Sequence, residues 1–256
     1  SRYALPFKRV QELVLPDRER KANEGMSSTG EARPHHQLFL RYWWRHSFDR
    51  PEMISRINEA HRYICCSIVT KRPIFVFVDK EVRPSNLLEV FTFADDYSFG
   101  VIQSHCHWEW FVAKCSKLKS DYRYTPPSVF DTFPWPQSPS KKHVIAVAEA
   151  GRRVRAVRDE HLPKIKGGLR ALYRTLELPG KSPLRDAHEA LDAAVLKAYG
   201  FSARKDLLAQ LLELNLAVAE REKSGQAVTA PGIPASYLDA GGKPEDLITD
   251  DCIRAD

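Results

Sequence analysis
The sequence predicts an α+β fold: a small mixed sheet with packed helices, followed by an all-α helical region. Three observations carry that expectation. Short apolar runs rich in β-branched and aromatic residues, "RYICCSIV", "PIFVFVD" and "LLEVFTF", fall close together between residues 62 and 93. Prolines at 126, 127, 134 and 136 then exclude a helix interior. From Lys142 onward the apolar residues recur at helical spacing. The expected domains are residues 1–140, and residues 141–256 with a flexible tail.

The elements are justified in chain order. Residues 17–36, "DRERKANEGMSSTGEARPHH", are polar, turn-rich and aperiodic, and so are expected to form a mobile loop. "LFLRYWWRH", residues 38–46, is expected to be a strand or a short buried element. A helix is predicted from Pro51 to about His61, capped by Asp49, with Met53, Ile54 and Ile57 on one face. The three apolar runs follow, enough strands for a stable sheet. Phe99, Ile102, Cys106 and Ala113 then share a helical face over 98–114, with Ser98 as the cap. Further helices are predicted over 142–161, 183–199 and 204–223, with Gly200 ending the second of these. The last 30 residues are rich in Gly, Pro and Asp and read as tail.

Composition narrows the function classes. The 256 residues are 43% hydrophobic and 28% charged, as in ordinary globular proteins, and no apolar run approaches the roughly 20 residues of a membrane span. The expected setting is cytoplasmic, with no membrane partner. Five irregularly spaced cysteines form no paired framework and are expected to be reduced. In "SHCHWEW", His105, Cys106 and His107 are sequence neighbours and point to different sides, which disfavours a metal site. The net charge of +6 is unevenly divided: residues 1–163 hold 26 Lys and Arg against 19 Asp and Glu, the remainder 13 against 14. A basic excess confined to one part suits a phosphate backbone, and equally suits a solvated basic face.

The sequence contains no Walker A loop, dinucleotide fingerprint, nucleophile elbow or zinc-protease motif. Asp95 and Asp96 precede a predicted helix, where adjacent carboxylates act as caps. Arg152, Arg153, Arg155 and Arg158 share one helix with Asp159 and Glu160, and read either as a self-paired, exposed face or as a DNA contact. The chain alone is therefore expected to be non-catalytic.

The stretch "KLKSDYRYTPPSVFDTFPWPQ", residues 117–137, alternates charges with rings and then stiffens with proline. Lys119, Asp121, Arg123 and Tyr124 are expected to project from a rigid mount, with Phe133 and Trp135 as its buried anchors. A rigid donor is what base readout requires. Lys71 and Arg72, between two predicted strands, are candidates for phosphate contact or the solvated tip of a hairpin.

Five segments in order, "RYWWRHSFDRPEM", "RYICCSIVTKRPIFVFVD", "DDYSFGVIQSHCHWEWF", "CSKLKSDYRYTPPSVFDTFPWPQ" and "AHEALDAAVLKAYGF", resemble the C-terminal half of MmeI-like, type IIL, adenine-specific DNA methyltransferases and restriction-modification enzymes. The resemblance covers roughly residues 38–215. It implies a target recognition domain followed by a helical domain, with double-stranded DNA as partner and positions 119 and 121 taking part in specificity. It also implies a methyltransferase domain upstream in the same polypeptide, carrying S-adenosyl-L-methionine and an Asn-Pro-Pro-Tyr motif. The Pro-Pro of this chain, in "TPPS", lacks both the Asn and the Tyr, so no cofactor is expected here. The alternative is a scaffold in a phage-defence complex that docks a helicase, nuclease or second subunit, and it predicts no salt-dependent DNA binding.

Overall fold
The computed structural model describes residues 3–24, 34–45, 50–118 and 121–255. The chain divides into two compact units, residues 1–55 and 56–256, with no division near residue 140. In the first unit, helices α1 (Ala4–Glu24) and α2 (Pro34–Arg41) pack together, with Phe7 against Trp43 at 5.4 Å between ring centroids. This corrects two expectations. Residues 17–24 extend a helix held by Arg20 pairing with Asp17 and Glu24 one turn to either side, and "LFLR" is helical instead of extended. Asp49, the expected cap of α3 (Pro51–Glu59), lies outside the described residues.

The second unit opens with strands β1 (Arg62–Ser67), β2 (Val69–Thr70), β3 (Val76–Asp79) and β4 (Leu88–Phe91). Strand β1 is central in a sheet ordered β3-β1-β4, antiparallel on both sides, with Ile64 opposite both Phe77 and Phe91. Its parallel component is a single bridge between Val78 and Ile253. Helices α4 (Asp96–Gln103) and α5 (His105–Lys114) follow. The predicted helix over 98–114 breaks at Ser104, which is extended and donates its hydroxyl to Val101 O at 2.7 Å. The cap is Asp95, not Ser98: Asp95 Oδ1 accepts from Ser98 N at 2.7 Å and Oδ2 from the Ser98 hydroxyl at 2.8 Å.

Strands β5 (Ser116–Leu118) and β6 (Asp121–Arg123) complete a second antiparallel sheet, ordered β2-β6-β5. The helical region comprises α6 (Lys141–His161), α7 (Gly168–Arg174), α8 (Pro183–Tyr199), α9 (Leu207–Lys223) and the short α10 (Ala235–Asp239). Helix α8 begins after Ser182, which caps Arg185 N, and stops at Gly200, whose φ of 71° is left-handed. Helix α6 packs on both α4 and α8, so the sheets and the helical region share one core.

The α4–α6 crossing depends on two glycines. A Cβ on Gly100 would lie 2.7 Å from Val147 Cγ1, and one on Gly151 would lie 3.1 Å from Asp96 O. This close approach brings Asp96 among Arg62, Arg152 and Arg155. Asp96 Oδ1 accepts from Arg62 at 2.8 Å and from Arg155 at 2.7 Å, and Oδ2 accepts from Arg152 at 2.5 Å. An exposed arginine face, self-paired or on DNA, is therefore wrong for Arg155 and Arg158, which are buried; Arg158 donates to Phe75 O at 2.7 Å and Gln103 Oε1 at 2.6 Å. Their long side chains reach past the helix surface, and the guanidinium groups at their ends satisfy polar groups on neighbouring elements, which helix periodicity alone does not report.

The expected flexible tail is also folded. Tyr237 and Leu247 are buried, Ile253 N donates to Phe77 O at 2.9 Å, and Asp79 N donates to Ile253 O at 2.8 Å. Asp251 reaches Arg155 Nε at 2.5 Å and Arg62 Nη1 at 3.1 Å. Glycine and proline set the turns of this segment, and the ion pairs and two buried side chains hold it to the body.

Burial alone would raise the pKa of Asp251, but hydrogen bonds from Arg155 and Thr249 and the charges of Arg155 and Arg62 bring it down to about 2. A depressed carboxylate contributes its stability above the unfolded value of 3.8 and loses it as pH falls through the folded value. The stability gap between wild type and Asp251→Asn is therefore expected to narrow on acidification from pH 5 to about 2.5. Urea unfolding measures it, and a gap independent of pH would refute this role.

Candidate nucleic-acid interface
The second sheet sorts its side chains by parity. Asp121 and Arg123 lie two residues apart on β6, with Val69 and Ser116 opposite Arg123 on the flanking strands, so all four share one face. Arg123, Val69 and Ser116 are exposed and Asp121 is half-buried. Tyr122 points to the other face and packs edge-on against Phe111 at 5.6 Å and Trp108 at 6.1 Å on α5. The sheet is thus fixed from behind by aromatic contacts and presents a polar front.

Of the predicted site residues, Asp121 and Arg123 are brought together. Asp121 Oδ1 is buried without a hydrogen-bond partner among the described residues, and the Arg123 guanidinium has no ion pair among them. Lys119 lies outside the described residues. Lys71 is exposed and Arg72 half-buried in the segment after β2, where the Thr70 hydroxyl donates to Arg72 O at 2.8 Å.

Tyr124 departs from the expectation. It shares parity with Tyr122, not Arg123, and is buried: its ring stacks on Phe111 at 5.5 Å and its hydroxyl bonds His107 Nε2 at 2.9 Å. Burial pushes its pKa well up and that of His107 down to about 3, so the pair is neutral. Tyr124 is core, and the period-2 rule applied to "DYRY" could have placed it there. His107 is likewise part of this core, whereas its neighbour His105 is exposed beside Glu109 at 3.2 Å.

The proline segment is the mount. Thr125 O accepts from Ser128 N and Val129 N, and Phe130 O from Phe133 N, which coils the chain into successive turns. Phe133 and Trp135 are buried as expected, Trp135 lying 5.7 Å from Phe93 and 6.3 Å from Phe133. The helical region grips the same segment: Tyr199 Oη donates to Pro134 O at 2.7 Å, and Asn215 Nδ2 to Thr132 O at 2.7 Å. Sequence reading missed these two grips, because they join positions more than 60 residues apart.

Residues 46–137 match the family model described as MmeI, target recognition domain. This region is an MmeI-like target recognition domain. DNA methyltransferase A of Bacillus subtilis (strain 168) is 34% identical over 140 residues, which are 54% of this chain and 15% of that protein. The solved structure of the type IIL restriction-modification enzyme MmeI, in complex with DNA, superposes with a TM-score of 0.64 at 24% identity, over 81% of this chain and 27% of that one. The likeness to that structure establishes the fold. The chain spans well under half of each of these longer proteins.

Emptying the Trp135 site removes a fully enclosed indole from a cluster of four rings. Trp135→Ala is expected to cost about 3–5 kcal/mol of stability. Chemical denaturation measures the loss; an unchanged melting temperature with weakened DNA binding would instead make Trp135 a contact residue.

Proposed function
We propose that residues 56–256 form the double-stranded DNA recognition region of a SAM-dependent adenine-N6 DNA methyltransferase of a restriction-modification or phage-defence system. The observation that carries this reading is the polar face of the β2-β6-β5 sheet, backed by aromatic packing and lying within the target recognition match. Methylating a base inside a duplex requires its extrusion into a catalytic pocket while another surface holds the duplex and reads groove edges. An acceptor at Asp121 suits the N4 amino group of cytosine, and a forked donor at Arg123 suits guanine O6 and N7. Lys71, Arg72 and the basic excess of residues 1–163 supply phosphate attraction.

SAM would supply the methyl group. Its usual cradle is a glycine-rich turn between a parallel strand and a helix. Both sheets here are antiparallel ladders, and the β4–α4 connection, "TFAD", has no glycine, so the described residues do not fit that group. On this reading SAM and the catalytic residues belong to another part of the same polypeptide. Calorimetry with this chain is expected to detect no SAM binding at micromolar affinity; such binding would refute the assignment.

Duplex binding by this chain is expected to weaken linearly in log K against log salt. Absence of salt-dependent binding would overturn the reading and leave the scaffold in its place. Specificity gives the finer test. Exchanging Lys119 and Asp121 in the complete methyltransferase reverses a donor and an acceptor, and is expected to change the preferred base pair at one position of the modified site. A uniform loss at every site would mean phosphate attraction only.

A further inference from the structure
Arg72 is held in an unusual way for a half-buried cation. Its guanidinium carbon lies 5.3 Å from the Trp108 ring centroid and 5.7 Å from that of Tyr173. Trp108 belongs to α5, inside the recognition match, whereas Tyr173 belongs to α7, outside it. Among the described residues no carboxylate forms an ion pair with Arg72. Asp192 is near enough to feel its charge, but Asp192 Oδ1 accepts the backbone N–H of His105 at 2.7 Å.

Tyr173 is itself fixed from behind. Its hydroxyl accepts from Arg158 Nη2 and bonds His188 Nε2 at 3.0 Å. Burial first, then the charges of Arg158 and Arg72, bring the His188 pKa down to about 3. A neutral His188 accepts the tyrosine hydrogen, which leaves the hydroxyl oxygen to Arg158. Arg158 is tied in turn to Phe75 O and Gln103 Oε1, and the Tyr173 ring is itself buried, so packing as well as these bonds holds its orientation.

A guanidinium held by ring faces keeps the N–H groups along its edge free, and that fork matches two oxygens of a phosphate. Arg72 also lies two residues beyond Thr70, which pairs with Tyr122 at the back of the polar sheet. We propose that Trp108 and Tyr173 are positioning residues that hold Arg72 as a phosphate-binding fork beside the recognition sheet, so that the helical region takes part in DNA binding. This rests on the DNA-recognition reading above.

The test is duplex binding by the full chain, followed by fluorescence anisotropy across a salt series. Arg72→Ala is expected to lower the slope of log K against log salt by about 0.9, the value of one phosphate contact. Trp108→Leu and Tyr173→Leu are expected to reproduce most of that loss and to add nothing in the Arg72→Ala background. Tyr173→Phe keeps the ring and is expected to keep the slope, although it loses the hydroxyl bonds. If Tyr173→Leu does not fold, the half-buried Trp108→Leu and the ring-preserving Tyr173→Phe decide the matter. Wild-type salt dependence with an unchanged slope in Arg72→Ala, or a slope lost in Arg72→Ala yet intact in Trp108→Leu, would overturn this inference alone. No salt-dependent binding by wild type would overturn the recognition reading with it.

Discussion

The carboxylate of Asp96 is the constraint on which residues 56–256 depend. It is fully buried, and three guanidinium groups reach it from two elements: Arg62 from β1, and Arg152 and Arg155 from α6. Arg62 also lies 3.5 Å from the Phe77 ring centroid, and Phe77 stacks on Phe99 at 5.3 Å, so aromatic faces enclose the charges. An isolated buried charge costs several kcal/mol, and a pair repays this only with good geometry and further hydrogen bonds. Thr249 and Asp251 supply those bonds from the end of the chain. A packing that kept Asp96 buried but moved α6 or the C-terminal segment away would leave that charge short of partners, and removing one partner of a buried pair costs about 3–5 kcal/mol.

That constraint passes along α6 to the interface. One turn beyond Arg155, Arg158 binds Phe75 O and Gln103 Oε1, and Gln103 accepts from Phe75 N at 3.1 Å. The segment leading into β3 is thereby fixed against the end of α4. At Ile68, β1 gives way to β2: Ile68 N donates to Leu87 O at 2.9 Å, and Ile68 O accepts from Tyr124 N at 2.8 Å. One residue therefore ties the first sheet to the second. The polar face is thus linked to the charge cluster through α6, the contacts of Arg158 and Gln103 with Phe75, and the backbone bonds of Ile68.

Much of this was legible in the sequence where local chemistry decides. Pro183 and Gly200 bound α8 as predicted, because a first-turn proline and a left-handed stop are properties of single residues. The three apolar runs became β1, β3 and β4, and Trp135 and Phe133 became anchors, because large rings between prolines have few places to go. What stayed hidden depends on partners distant in sequence. Arg155 and Arg158 carry an exposed composition, yet Asp96 and Gln103, more than 50 residues away, bury them. The C-terminal segment has the composition of a tail, and only the arginines beneath it and the edge of β3 make it structure.

The same reasoning explains how the two faces of the small sheet divide their tasks. Tyr122 and Tyr124 meet Phe111, Trp108 and Phe91, so a change there disturbs a core shared with α5 and β4. Arg123 is exposed and meets no such core, and substitutions at exposed strand positions ordinarily shift stability by less than about 0.5 kcal/mol; half-buried Asp121 has a buried carboxylate oxygen with no hydrogen-bond partner among the described residues, so replacing it breaks no bond at that oxygen. A base-edge contact, by contrast, discriminates by about 1–3 kcal/mol. On the DNA-recognition reading, the front of the sheet can therefore change what it reads at little structural cost, while the tyrosines behind it hold the reading frame constant. The alternation in "DYRY" writes both demands into four consecutive residues.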